Sequence, residues 1–250
     1  MKIGYTFTFH HSDEIRPNGK KVLKDNITSA YSSFNPNINF KTYIIDNQSI
    51  PHTSFSDIVD ISLYKNMKYT YVENQFEKGI TGAWSMGISQ AIEDGCDIII
   101  LTTDDVILNK TINNLIDYIK SDNLSNNSIY GPVANGISIP WQLSEGPTNQ
   151  IIEMQNPGLH YHLGGHMYAF TKEFYHKWKS ESGELFIANQ PYNGGDGKWG
   201  GNEGCVIYWT EQGARSVIVG TCWVQHQLDT RYSYRKARAK DKIKNGYTIT

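Results

Sequence analysis

An apolar run in this chain, Asp97-Ile98-Ile99-Ile100-Leu101, leads through Thr102 and Thr103 to two adjacent aspartates, Asp104 and Asp105. The run reads as a buried strand of a parallel sheet, entered from Gly95. Adjacent carboxylates repel each other and lose hydration at such a place, so a strand end carrying both favours a cation. Ligands of open α/β sheets bind at the carboxyl ends of strands. A divalent metal with its bound phosphates is the chemistry this pair suits. A surface Asp-Asp turn is the alternative.

A further carboxylate stands in Trp199-Gly200-Gly201-Asn202-Glu203-Gly204. Asn202 is an N-cap type, which puts Glu203 in a first helical turn, where the macrodipole favours negative charge. An ordinary acidic first turn fits, and so does a general base, since the flanking glycines leave room for a ligand. Asp196, in Gly194-Gly195-Asp196-Gly197, is the rival carboxylate. His226 closes the stretch Cys222-Trp223-Val224-Gln225-His226. A lone histidine is usually a surface or hydrogen-bonded residue, but paired with Asp105 it would complete a metal site. Oxygen-only sites suit magnesium, and one imidazole moves the preference toward manganese.

The elements that must position these residues follow an α/β rhythm. Lys2 to Phe9 reads as a strand, followed by a helix with Val22, Leu23, Ile27, Ala30 and Tyr31 at helical spacing. Phe40 to Ile45 reads as a second strand, closing at Asp46-Asn47-Gln48-Ser49, and Tyr69 to Val72 as another. Trp84, Ile88, Ala91 and Ile92 share one helix face; Ile112, Leu115, Ile116 and Ile119 share that of the helix after the Asp97 strand. This alternation predicts an α/β sandwich. Asn135 to Gly158, rich in Gly, Pro, Asn and Trp, reads as a long functional loop or a linker. Helices are predicted from Thr171 to Lys179, burying Phe174 and Trp178, and from Asn202 to a stop at Gly213. A last strand is predicted over Arg215 to Val224.

The chain has 250 residues, enough for one large α/β domain over 1–250. A hydrophobic share of 39% and a charged share of 19% suit a soluble globule, and a net charge of -2 carries no nucleic-acid footprint. The three cysteines, Cys96, Cys205 and Cys222, have no paired spacing, against a disulfide framework or structural zinc. The first residues lack the apolar core of a signal peptide, so a cytoplasmic location is the expectation. Charge gathers only in residues 231–250, where Arg231, Arg235, Lys236, Arg238, Lys240, Lys242 and Lys244 face a single Asp241. That tail reads as a lid over a diphosphate or as a solvated helix end touching an anionic membrane.

Several segments carry a resemblance that spans residues 2 to 230. Gly164-Gly165-His166-Met167-Tyr168-Ala169-Phe170, continuing to Phe174, resembles a "GG…F" acceptor segment. Trp199-Gly200-Gly201-Asn202-Glu203 resembles a W-G-G-E-D motif, Asp46-Asn47-Gln48-Ser49 a D-N-x-S, and Gly79 to Gly87 an "N-x-G…A-x-N-x-G" stretch. Together they make the chain look like a GT-A-fold glycosyltransferase of the broad family-2 type, with a C-terminal half similar to the β-1,4-galactosyltransferases. The resemblance departs at Thr103-Asp104-Asp105, where the DxD motif has Thr for its first Asp, at Asn202-Glu203 in place of E-D, and at Ser85 in place of Asn.

The resemblance implies a Rossmann-like GT-A fold, with a mostly parallel sheet flanked by helices. Residues 1–125 would form the donor half and 126–230 the acceptor and catalytic half. It implies an inverting, metal-dependent transfer of a sugar from a nucleoside-diphosphate donor, with UDP as the expected diphosphate, to a glycan or glycolipid hydroxyl. Asp105 and His226 would hold Mn2+ or Mg2+; Glu203, with Asp196 as the rival, would be the base. Thr8, Asp46, Gly82, Asp104, Asp105 and Gly165 would line the donor site, with Asp46 either accepting the imide N–H of a uridine base or closing the turn after the second strand. His160, His162 and His166 are the histidines that would replace Glu203 if the base were an imidazole. A non-catalytic sugar-nucleotide-binding domain and a metal-dependent phosphohydrolase are the rival readings. A dehydrogenase is disfavoured, because no G-x-G-x-x-G follows the first strand.

Overall fold

The computed structural model describes residues 1–11, 13, 17–49, 55–60, 64, 66–72, 79–137, 139–154, 162–186 and 201–227, with the main chain alone at 55, 79, 201 and 202. Asp196, His160, the Trp199-Gly200 pair and the basic tail lie outside the described residues. The first half alternates as predicted. Strand β1 (Lys2–Phe9) is followed by helix α1 (Gly19–Ser33), then β2 (Asn39–Asn47), β3 (Met67–Val72), α2 (Gly79–Glu93) and β4 (Ile98–Thr103). A two-residue strand, β5 (Val106–Ile107), comes directly after the aspartate pair, followed by α3 (Ile112–Ser121). The second half adds β6 (Ser128–Asn135), β7 (Ile151–Glu153), β8 (Met167–Thr171), α4 (Lys172–Trp178), α5 (Gly201–Glu211) and β9 (Arg215–His226).

All of these strands share one mixed sheet in the order β3-β2-β1-β4-β8-β6-β9-β5, with β7 paired to β9. The strands from β3 to β4 run parallel. Strand β8 is antiparallel to both β4 and β6, and β6 is parallel to β9. The carboxyl ends of β1, β4 and β9 and the start of β8 therefore fall on one edge of the sheet, where an α/β sheet places its ligands.

Alternation along the strands divides the core. Ile3, Tyr5, Phe7 and Phe9 of β1 and Ile98 and Ile100 of β4 pack with Leu23 and Ile27 of α1 and Ile112, Leu115 and Ile116 of α3. Ile99 and Leu101 turn to the other face, to meet Trp84 and Ile88 of α2, Phe174 of α4 and Trp209 of α5. Helices on both faces explain why β4 is apolar from Ile98 to Leu101, while β1 alternates Ile3, Tyr5, Phe7 and Phe9 with the small residues Gly4, Thr6 and Thr8 on the face toward α2. Helix α2 sits close to the sheet because Gly87 faces it: a Cβ there would fall on Thr6 Oγ1.

Three expectations need correction. The Asn135–Gly158 loop holds strand β7, which pairs Ile151 with Val219 and Glu153 with Val217. Helix α5 opens at Gly201, so Asn202 lies inside the helix rather than capping it, while Glu203 keeps its place in the first turn. Trp178 is only partly buried, although Phe174 is fully so. Among the described residues, no helix is long and apolar enough to cross a membrane.

Candidate active site

Asp104 and Asp105 form the turn between β4 and β5, and both are buried, at 6% and 7% exposure. The next residue, Val106, pairs across to His226, the last residue of β9. The Asp105 carbonyl also accepts the Gln227 N–H at 2.9 Å. This pairing brings the His226 Nε2 to 3.4 Å from Asp105 Oδ1. The His226 N–H donates to Asn135 Oδ1 at 3.2 Å, which fixes the strand end that carries the imidazole.

The His166 ring stands edge-on to His226, with ring centroids 6.3 Å apart and planes at 89°. Its main-chain carbonyl accepts the Thr103 N–H at 3.1 Å, so the residue before Asp104 and the entry to β8 are locked together.

Asp105 Oδ1 is buried and accepts no hydrogen bond from the described residues, with the His226 imidazole 3.4 Å away. A buried carboxylate in that state is costly unless a cation meets it. One carboxylate and one imidazole fit Mn2+ or Mg2+ bound mainly through a substrate's phosphates, since such ions often take only one or two protein ligands there. Among the described residues no group of three or more His, Cys, Asp and Glu side chains forms a closed metal cage.

Glu203 reaches the same sheet edge from the first turn of α5. Its Oε1 accepts the Gly165 N–H at 3.3 Å, and its Oε2 lies 3.8 Å from His162 Nε2. Its side chain keeps 25% exposure, enough for contact with a ligand. The His162 carbonyl accepts the Trp141 indole N–H at 2.7 Å, and the two rings pack edge-to-face. Burial, and then the Glu203 charge, push the Tyr168 phenol well above its ordinary range, so it stays a neutral neighbour of the carboxylate. A Cβ at Gly164 would meet Ile139 Cδ1 and the His166 ring, so a larger residue there would have to displace those side chains.

Of the predicted residues, the structure brings Asp105 to His226, and Glu203 to Gly165. Gly165 and His166, adjacent in the chain, connect the two pairs. Thr8, next to the last residue of β1, stands opposite Thr103 in the register, with its hydroxyl buried and without a hydrogen bond among the described residues. Gly82 lies in the first turn of α2, half-buried.

Asp46 has a structural task. It is 1% exposed, one oxygen accepts the Ser49 N–H at 2.9 Å and the Ser49 hydroxyl at 2.6 Å, and the other accepts the Tyr69 hydroxyl. Its carboxylate closes the turn after β2, which argues for the turn role over base recognition. In the sequence His162 and His166 stand as substitutes for Glu203, and His166 also belongs to the acceptor-like Gly164-Gly165 segment. The structure puts His162 beside the Glu203 carboxylate and His166 against the His226 ring, at the turn just before β8.

Solved structures with this fold include GalNAc-T7 with UDP, GalNAc and Mn2+, at 13% identity and a TM-score of 0.64, over 96% of this chain and 48% of that one. TarS 1-349 from S. aureus in complex with UDP matches at 12% identity and a TM-score of 0.58, over 100% of this chain and 67% of that one. Full TarS from S. aureus matches at 10% identity and a TM-score of 0.63, over 100% and 41%. The chain thus spans about half the length of GalNAc-T7. No curated protein matches it in sequence. The model of the family described as glycosyl transferase family 2 matches residues 17–178. The chain belongs to glycosyl transferase family 2.

Proposed function

We propose that this protein is a metal-dependent, inverting glycosyltransferase that moves a sugar from a nucleoside-diphosphate donor to an acceptor hydroxyl. The observation that carries the reading is the approach of Asp105 to His226 at 3.4 Å, on the same sheet edge as Glu203. In this reading Asp105 and His226 hold Mn2+ or Mg2+, with Thr8, Asp104 and Gly165 around the donor. The bound ion would neutralise charge on the leaving diphosphate. Glu203 takes the proton from the acceptor hydroxyl, which is a poor nucleophile until a carboxylate reaches it. A base on the face opposite the leaving group gives in-line displacement and inversion at the anomeric carbon.

UDP is the proposed diphosphate because two proteins of this fold were solved with it. That support replaces Asp46, whose oxygens are taken by Ser49 and Tyr69. Glycan or glycolipid acceptors, a cytoplasmic setting and membrane contact through residues 231–250 complete the proposal, and all three rest on sequence alone.

The test is a thermal-shift series with UDP and other nucleoside diphosphates, with Mn2+ or with chelator, followed by a transfer assay. UDP with Mn2+ at a hundredfold excess over its dissociation constant should stabilise the protein by about 2.7 kcal/mol. Equal stabilisation in chelator would overturn the metal assignment. Metal-dependent binding with no transfer to any glycan would favour the binding-domain reading.

A further inference from the structure

The turn that presents Asp105 is held by Asn26 of α1, a residue with no part in the site described above. Asn26 is fully buried, at 0% exposure. Its Nδ2 donates to the carbonyl of Val106 at 2.9 Å and to that of Asp104 at 3.3 Å, so one carboxamide grips the backbone on both sides of Asp105. Its Oδ1 accepts the Tyr5 hydroxyl at 2.8 Å, and the Thr102 hydroxyl donates to the Tyr5 oxygen at 3.2 Å. Further along α1, Ser29 Oγ accepts the Leu108 N–H at 3.0 Å and donates to the Asn26 carbonyl at 2.7 Å. The carbonyl of Asp105 itself is taken by Gln227. Three consecutive carbonyls are thus fixed by neighbouring elements, and Asp105 Oδ1 is left out of that scaffolding.

Asparagine is an indifferent helix former, and burying its amide is costly unless every group is bonded. Helix α1 gains nothing by having it, while the β4–β5 turn depends on it. We propose that Asn26 is a positioning residue, which sets the Asp105 carboxylate against His226 and so raises the affinity of the pair for a divalent cation. This rests on the metal reading above.

The test titrates the whole chain with Mn2+ alone, following free Mn2+ by its paramagnetic resonance, and measures turnover against Mn2+ concentration. Asn26→Asp keeps the acceptor for Tyr5 but sets an oxygen against two carbonyls; it should weaken Mn2+ binding by about tenfold or more. Tyr5→Phe, which removes only the hydroxyl that orients the carboxamide, should weaken it in the same direction by less. It carries the test if Asn26→Asp fails to fold.

Leu115→Ala, a core deletion in α3, should lower the melting temperature with Mn2+ affinity unchanged. Saturating Mn2+ should restore most of the turnover lost in the turn variants. Mn2+ affinity within about twofold of the parent in Asn26→Asp and Tyr5→Phe, with Asp105→Asn no longer binding, overturns the proposal. Parent-like Mn2+ binding by Asp105→Asn itself overturns the metal reading, so the two failures are distinguishable.

Discussion

Glu203 Oε1 accepts the Gly165 N–H at 3.3 Å, and that bond ties the first turn of α5 to the chain entering β8. The next residue is His166, whose ring faces His226. The proposed base and the proposed metal pair are therefore not independent: each is set by the same short segment. Gly165 offers a backbone donor, which holds Glu203 without protonating it and leaves the other oxygen toward His162.

Glu203→Gln should separate binding from chemistry. It keeps the size of the side chain and an oxygen for Gly165 but removes the proton acceptor. Donor binding by calorimetry should persist, while transfer falls by roughly two to four orders of magnitude. Full activity in this variant, with activity lost in Asp196→Asn, would move the base to the glycine-rich loop.

His162→Gln tests the neighbour of that base. At 3.8 Å from Glu203 the imidazole lies beyond hydrogen-bond distance, a neighbour of the carboxylate rather than a bonded relay. Its loss should lower transfer by about tenfold or less, with donor affinity intact. A loss as deep as that of Glu203→Gln would make His162 the base.

His226→Asn should weaken the stabilisation that nucleoside diphosphate with metal confers, and shift the preference from Mn2+ toward Mg2+, because the imidazole is replaced by an oxygen donor. Thermal shifts with each ion check this. Unchanged metal preference would make His226 a strand-end residue only.

The first half of the chain was legible in the sequence because its strands are buried on both faces, as in the Ile98–Leu101 run, and its helices bear clear stripes. Strand β6 was not legible, because Gly131 and Pro132 stand in its middle, where a central strand rarely has them. The register of β6 against β9 slips just after Pro132, so the proline sits at an irregularity the sequence does not announce. Strand β8 was hidden inside a motif, and β7 is too short to show a period. At the site, Asp105, His226 and Glu203 could be chosen by residue type, yet Asp105 meets His226 only through β9 pairing with β5, and Glu203 is placed by the Gly165 N–H. Asn26 had one visible signal: it lies four residues after Val22 and four before Ala30, on the buried stripe of α1.

Gly87→Ala tests the close approach of α2 to β1. In an exposed helix this change would stabilise by ~1 kcal/mol. Here the new methyl would fall on Thr6 Oγ1, inside a packed interface, so the sign should reverse. A loss of about 1–3 kcal/mol in urea unfolding is expected. A gain in stability would show that helix and strand can separate freely.

Asp122, just after α3, joins that helix to β6 and β9. It accepts the Leu124 N–H at 2.9 Å, the Tyr130 hydroxyl at 2.8 Å and the Arg215 guanidinium at 2.9 Å, and Arg215 also reaches Glu153 at 2.8 Å. Burial alone would raise the Asp122 carboxyl, but these donors together hold it below its ordinary value. Since the folded pKa lies below the unfolded value of about 3.9, the carboxylate contributes fully above that pH, and its contribution is lost as the pH falls through the folded value. Asp122→Asn should therefore cost about 2 kcal/mol at pH 7, through weakened bonds to Arg215 and Tyr130. The gap between parent and variant should hold down to about pH 5 and narrow below about pH 4. Urea unfolding of both proteins at neutral and acidic pH checks it. A gap of the same size at every pH would mean that the Asp122 charge adds nothing and that only its hydrogen-bonding shape matters.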